Sequence, residues 1–205
     1  MLLNPDLKDS DFFLPGIIGI IIMQVTLILA SLSIVREREQ RTIEQLMATP
    51  ITRRALIVGK MIPYAVIAAV DFAVIIGAGH LLFELPFKGA PILIVLLAAL
   101  YICSLLALGA LISSFSQTQP QAVFLAVFIL IPSVLLSGFV FPIEAMPTWL
   151  QPIPKLLPLT YYMDGIRALT IKGTGFGTVA VDFAVLAGFM IVFTLLGIQR
   201  FKKTV

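Results

Sequence analysis

Five long apolar runs limit what this chain can fold into more than any other feature of its sequence. Each run has about twenty mostly apolar residues, enough for a helix to cross a ~30 Å hydrocarbon core. The strands of a membrane β-barrel would be shorter and would alternate polar with apolar residues, which these runs do not do. Because 60% of the residues are hydrophobic and only 12% are charged, the sequence predicts an all-α polytopic membrane protein.

We expect one transmembrane domain over residues 1–205, with spans at about 17–34, 61–83, 91–112, 122–141 and 179–198. The single cysteine, Cys103, lies in the third run, so a disulfide framework is excluded. The net charge of +3 is too small to indicate nucleic acid as a partner.

Basic residues are divided unevenly between the two predicted sides of the membrane. One side has nine, at positions 36, 38, 41, 53, 54, 60, 200, 202 and 203, and the other has five, at positions 8, 88, 155, 167 and 172. Lys and Arg concentrate in cytoplasmic loops. We therefore expect a multi-pass protein of the inner (plasma) membrane with its N-terminus outside and its C-terminus in the cytoplasm.

The polar segment 36–54 separates the first two spans. Thr42 and Gln45 fit a capping box, which predicts a helix from Ile43 that ends before Pro50. The apolar side chains of this helix share one side: Ile43, Leu46 and Met47. From these residues alone, the helix either binds a partner or rests on lipid headgroups.

Two neighbouring patterns carry a family resemblance. The chain reads R-E-R-E-Q-R-T-I-E-Q-L, then T-P and G-K-M-I-P-Y, and the matching residues are Arg36, Glu37, Arg38, Glu39, Thr42, Glu44, Gln45, Leu46, Thr49, Pro50, Gly59, Lys60, Pro63 and Tyr64. This segment resembles the cytoplasmic loop of type-2 ABC exporter permeases of the multidrug or antibiotic type. The later F-P-I-E-A-M-P and P-L-T-Y-Y segments also look like this family. Its members with this pattern carry an earlier span and an external domain, so we expect a C-terminal membrane portion or a shortened homologue.

The resemblance implies a permease subunit that forms the translocation pathway of an ATP-driven exporter. It also implies that segment 36–54 couples to a separate ATPase subunit and that a second permease subunit, identical or homologous, completes a dimer in the lipid. The coupling residues would be Glu37, Glu39, Thr42, Ile43, Glu44, Gln45, Leu46, Met47 and Arg53.

The sequence offers no catalytic motif. Around Gly59 and Lys60 the phosphate-binding pattern fails twice, at Arg54 and at Met61. Hydrolase and zinc motifs are also missing from the sequence. We therefore expect a transport subunit with no catalytic residue, metal or bound cofactor, and with ATP on the partner subunit.

Asp71 lies in the middle of the second span, where a charge facing lipid is costly. Lys60, Tyr64 and Asp71 share one side of that helix, which we expect to border a translocation pathway or an interface. Small residues that suit close helix packing form a stripe on the other side: Ala65, Ala69, Ala73 and Gly77. A hydrogen bond from Asp71 to a neighbouring helix is the alternative.

The external segment 142–172 has five prolines, which prevent a long helix before Leu159. We predict short helices here, the second over about 160–171, that are either re-entrant, as the resemblance implies, or interfacial. The site residues would be Glu144, Trp149, Tyr161, Asp164 and Arg167, and the three charged ones have the chemistry to pair.

Two other functions fit a helical membrane protein. An ion-coupled secondary transporter or channel would use Asp71 and His80, but it predicts paired inverted repeats, which the sequence does not show. A non-transporting scaffold would use segment 36–54 only to recruit a soluble protein.

Overall fold

The computed structural model describes residues 9–40, 53–83 and 88–201. These residues form six α-helices and contain no strand. The helices are α1 (Asp9–Glu39), α2 (Arg53–Phe83), α3 (Pro91–Phe115), α4 (Gln119–Leu136), α5 (Pro158–Thr170) and α6 (Phe176–Phe201). Two short 3-10 turns, Ile143–Ala145 and Pro154–Leu156, lie between α4 and α5.

Five of these helices, α1, α2, α3, α4 and α6, are long and apolar enough to cross a membrane. The predicted all-α class with five spans is therefore confirmed. The predicted helix from Ile43 lies outside the described residues.

The predicted end of the fourth span at residue 141 is wrong, because α4 ends at Leu136. Gly138 follows with a φ of +85°, a left-handed conformation that an α-helix cannot continue through. Residues 137–141 instead turn the chain back across the end of the bundle.

Helix α3 lies at the centre of the bundle, where it packs against α1, α2, α5 and α6. Its residues Leu97, Tyr101 and Leu105 are completely buried. The Tyr101 hydroxyl donates a hydrogen bond of 3.2 Å to the carbonyl oxygen of Gly19 in α1. This contact satisfies a polar group in the apolar core.

Helix α5 lies where a short helix over about 160–171 was predicted, and it is packed into the bundle among α1, α3 and α6. The Tyr162 ring stacks on Tyr101, with ring centroids 4.4 Å apart. Gly19 permits this approach, because a Cβ there would lie 2.5 Å from the Tyr162 ring. Most side chains of α5 are buried, so this helix is part of the core.

The bundle has two distinct ends. The basic end, as we call it, contains the C-terminal ends of α1, α3 and α6 and the N-terminal ends of α2 and α4. The proline-rich end contains residues 137–157, α5 and the connection at Lys88 and Gly89. That connection is held to α5 by a 2.9 Å hydrogen bond from the Gly89 N–H to the Leu169 carbonyl.

Candidate functional site

The basic end contains the part of segment 36–54 that the structure describes. Glu37 and Glu39 lie in the last turn of α1, and Arg53 is the first residue of α2. The six predicted coupling residues between them, Thr42, Ile43, Glu44, Gln45, Leu46 and Met47, lie outside the described residues. The two helix ends therefore define how this segment is anchored to the bundle.

Glu37 and Lys60 form an ion pair between the end of α1 and the first turns of α2. Their side chains are only 25% and 18% exposed, respectively. Breaking such a partly buried pair is costly, because each charge would lose a counter-charge in a partly desolvated site. The pair therefore fixes the distance between the two helices that flank residues 41–52.

Glu39 connects α1 to the first turn of α4. Its Oε1 accepts a 2.9 Å hydrogen bond from the Gln119 backbone N–H, and its Oε2 accepts one of 2.5 Å from Gln119 Nε2. The side-chain bond and then the backbone bond lower the pKa of Glu39, because both stabilise the ionised carboxylate. A carboxylate at a helix N-terminus is also favoured by the helix dipole.

Helices α1 and α3 approach very closely near the same end. A Cβ on Gly109 would lie 2.4 Å from the Cβ of Ala30, so only glycine fits there. One turn further, the Ser113 hydroxyl oxygen accepts hydrogen bonds of 3.2 and 3.1 Å from the backbone N–H groups of Ile34 and Val35. The Arg200 guanidinium lies 5.1 Å from the centre of the Phe115 ring, which joins the end of α6 to α3. Together with Lys60 of α2 and Gln119 of α4, these residues bring all five spanning helices into contact at the basic end.

The three residues of the predicted polar line on α2 differ in their contacts. Lys60 is paired with Glu37, and Tyr64 is half-buried against the core. Asp71 is also half-buried, and its Oδ2 atom has no hydrogen-bond partner among the described residues. The alternative for Asp71 was a hydrogen bond to a neighbouring helix. Within the described part of the chain, the Oδ2 atom does not form such a bond.

The stripe of small residues on α2 packs within the chain only at Ala65, which is half-buried against the core. Ala69 and Ala73 are exposed, and a Cβ on Gly77 would have no neighbour within 4 Å. The buried contacts are made instead by Ala68 and Phe72. Close helix packing through the rest of the stripe is not formed among the described residues and stays a prediction.

The predicted residues of the proline-rich end are less closely grouped. Trp149 is 75% exposed and Glu144 is exposed, whereas Tyr161 is half-buried and donates a 3.1 Å hydrogen bond to the Lys155 carbonyl. Arg167 Nη1 donates a 3.2 Å hydrogen bond to the carbonyl oxygen of Gly138. This bond ties α5 to the turn that follows α4.

Asp164 retains an exposed surface but is surrounded by enough protein for desolvation to raise its pKa. Arg167 opposes this shift, and the Glu144 carboxylate adds to it. The three charged residues of the predicted set are therefore electrostatically coupled, with Asp164 between them.

Asp182 was missed by the sequence reasoning. It lies in α6 next to α5, where a Cβ on Gly165 would be 3.5 Å from its Oδ2. Burial raises the pKa of Tyr161, and Asp182 and Asp164 add to that shift. The signal was present, because Asp182 is an ionisable residue inside a span, the same criterion that identified Asp71.

Nothing in the described residues forms a cluster suited to a metal: no group of three or more His, Cys, Asp or Glu side chains is close enough to hold an ion. The polar contacts of the basic end join helices to one another.

Comparisons with known proteins give a consistent result. The profile of the ABC-2 family transporter protein matches residues 4–198. The probable multidrug ABC transporter permease YbhR of Escherichia coli (strain K12) is 36% identical over 170 residues, covering 82% of this chain and 46% of the relative. YbhS of the same organism, also a probable multidrug ABC transporter permease, is 30% identical over 171 residues, covering 83% and 45%.

The inner membrane transport permease YhhJ of the same strain is 28% identical over 209 residues, covering all of this chain and 55% of the relative. The chain thus spans about half the length of the curated relatives it matches. The family match covers most of the chain and agrees with the five spanning helices. The chain belongs to the ABC-2 family of transporter permeases.

Proposed function

We propose that this chain is the transmembrane permease subunit of an ATP-driven exporter and couples to a separate ATPase subunit. Membership of the ABC-2 family and the similarity to YbhR and YbhS support a permease. ATP would be hydrolysed on the partner, because the sequence has no phosphate-binding loop of its own.

The observation that carries the proposal is how residues 41–52 are attached at both ends. On one side, Glu39 is bonded to the start of α4, and Glu37 is paired with Lys60 on α2. On the other side, α2 begins at Arg53 and continues without a break into its span. A force on this loop would therefore reach three spanning helices as a rigid-body or hinge motion.

Within the loop, Ile43, Leu46 and Met47 would make the apolar contacts with the ATPase. Glu44 and Arg53 would lie at the rim of the contact, where charges set register and association rate more than affinity. Glu37 and Glu39 would have a different role, since both are engaged within the chain: they would pass the motion on to α2 and α4.

The proposed topology puts the basic end in the cytoplasm of a multi-pass inner membrane protein. The excess of Lys and Arg on that side supports this orientation, which leaves the N-terminus outside and the C-terminus in the cytoplasm. The proline-rich end would then close the outer side of the pathway, with α5 as a buried re-entrant helix.

A second permease subunit would complete the pathway. Ala69 and Ala73 support this part of the proposal, because small exposed residues allow another helix to approach closely. Asp71 lies on the other side of α2, with one carboxylate oxygen unbonded among the described residues. The line of Lys60, Tyr64 and Asp71 would then border the pathway or the subunit interface.

The test is Glu44→Arg in the chain reconstituted into vesicles with the ATPase that co-purifies with it. We expect the variant to insert normally but to lose most of the change in ATP hydrolysis that the permease causes in its partner. Lys155→Glu is the matched control, because it also reverses a charge, on an exposed residue of the opposite end. Unchanged coupled hydrolysis in Glu44→Arg, or transport driven by an ion gradient without ATP, would contradict the proposal.

A further inference from the structure

An apolar pocket of about 290 Å³ opens in the side of the bundle, close to the basic end. Its floor is formed by α3, including Cys103, Leu106 and Ala110. Its walls are formed by α2, through Met61, and by α6, through residues that include Phe193. The volume is near the lower end of the ~300–1,000 Å³ range of small-molecule pockets.

The pocket offers nothing for a polar ligand to bind. Thr194 is the one hydroxyl-bearing residue among the described residues that line it, and its Oγ1 already donates a 2.7 Å hydrogen bond to the Met190 carbonyl. The remaining lining side chains are apolar or, at Cys103, a thiol. The chemistry of the lining therefore selects hydrocarbon.

The mouth of the pocket faces the surroundings of the bundle. Helices α2 and α6 both pack on α3, and the pocket lies between them. The surfaces beside it are apolar and exposed, as Ile62 on α2 and Leu195 on α6 show. Because all three helices are long and apolar enough to cross a membrane, the mouth between α2 and α6 opens toward the hydrocarbon of the bilayer.

The length of the pocket along the helices matches the hydrocarbon thickness of one leaflet. Along α6 the lining extends from Met190 to Ile198, which at 1.5 Å per residue is about 12 Å. This is close to half of a ~30 Å hydrocarbon core. Toward the basic end, the pocket finishes beside charged groups. Met61 follows Lys60, and Ile34 is one turn from Glu37.

We propose that this pocket binds one acyl chain of a bilayer lipid, which enters between α2 and α6 with its headgroup at the level of the Glu37 and Lys60 pair. An unfilled apolar cavity forfeits the contacts of its lining atoms, and a flexible chain from the adjoining leaflet restores them. This inference requires only that the helices span a bilayer, so its failure and the failure of the proposed export function can be told apart.

The test uses the chain in vesicles of phosphatidylethanolamine and phosphatidylglycerol that contain a trace of phosphatidylcholine with a diazirine in one acyl chain. After irradiation, peptide mass spectrometry maps the lipid adducts. We expect adducts at the pocket residues Cys103, Leu106 and Phe193 in excess of those at Val192 and Leu195, which are exposed residues of α6 outside the pocket lining.

Gly197→Leu is the variant that fills the pocket. Gly197 lines it, and a Cβ there would meet Leu111 only at an ordinary distance of 3.9 Å. Gly188→Leu is the matched control on the same helix, since a Cβ there has no neighbour within 4 Å and the residue is not part of the lining. We expect adducts at Cys103 to fall about tenfold in Gly197→Leu, equivalent to about 1.4 kcal/mol of binding, and to stay unchanged in Gly188→Leu.

Thr194→Phe provides a second filling variant if Gly197→Leu does not fold, because Thr194 is exposed at the mouth. Adducts spread evenly over pocket and lipid-facing residues would overturn the inference, since they indicate annular lipid only. Adducts at Cys103 that survive both filling variants would overturn it as well.

Discussion

The two ends of the bundle are stabilised by different kinds of contact. At the basic end, α1 and α3 pack closely, but α2 and α4 are joined to α1 by polar pairs between long side chains, Glu37 with Lys60 and Glu39 with Gln119. At the proline-rich end, they are joined by close apolar packing, in which Tyr101 stacks directly on Tyr162. Long polar side chains can keep their bonds while helices shift, whereas interdigitated rings cannot. We infer that the proline-rich end is fixed by packing, whereas α2 and α4 are the adjustable elements of the basic end.

Gly19→Val should have the largest effect, because it disrupts the fixed end. The new side chain would collide with the Tyr162 ring, which a Cβ on residue 19 already meets at 2.5 Å. We expect a loss of about 3 kcal/mol in the free energy of unfolding, at the upper end for an overpacked core. Denaturant unfolding in detergent micelles, followed by circular dichroism, measures it.

Gly77→Val is the control for this comparison, since a Cβ at residue 77 of α2 has no neighbour within 4 Å. Its free energy of unfolding should stay within about 0.5 kcal/mol of the wild-type value. Equal losses in the two variants would mean that helix propensity, and not packing at the proline-rich end, determines the result.

Lys60→Met should have an intermediate effect at the basic end. It removes the Lys60 ammonium group from the Glu37 carboxylate, whose side chain is only 25% exposed. We expect a loss of about 2 kcal/mol, less than for a fully buried pair because solvent still screens the site. The same unfolding experiment measures it.

The double variant Glu37→Gln/Lys60→Met completes a thermodynamic cycle for this pair. It should be more stable than Lys60→Met alone, because no uncompensated charge remains. If the two substitutions are simply additive, the ion pair does not stabilise the basic end.

Glu39→Gln should have the smallest effect, and that effect should depend on pH. The folded pKa of Glu39 is lowered, so its contribution to stability is present above the unfolded value of about 4.3 and is lost as the pH falls through the folded value. The difference in unfolding midpoint between wild type and Glu39→Gln should therefore be largest near neutral pH and shrink in acid. A difference that is the same at all pH values would argue against an ionised Glu39 bonded to Gln119.

The spans could be predicted from the sequence because length and hydropathy are properties of each helix alone. The end of α4 could not be predicted in this way. Ser137 and Gly138 lie in a continuously apolar region, where hydropathy does not indicate the end of a helix. The positive φ of Gly138 and its bond from Arg167 depend on the position of α5.

The partners of the charged residues could not be predicted, because their prediction requires knowledge of which helices are neighbours. Glu37 and Lys60 were assigned separately, one to an ATPase contact and the other to a pathway, and the structure joins them. Tyr162 shows the same limit: aromatic residues in an external segment favour an interfacial position, yet this ring is completely buried against α3.

The bond between Glu39 and Gln119 has a consequence for the outer surface of α4. Phe124 and Phe128 lie one and two turns beyond Gln119, with their rings exposed and 6.3 Å apart. Because the first residue of α4 is hydrogen-bonded to α1, a rotation at the end of α1 turns both rings about the axis of α4. The aromatic surface that α4 presents to lipid or to another subunit therefore follows a helix end that is bonded to a carboxylate of a different helix.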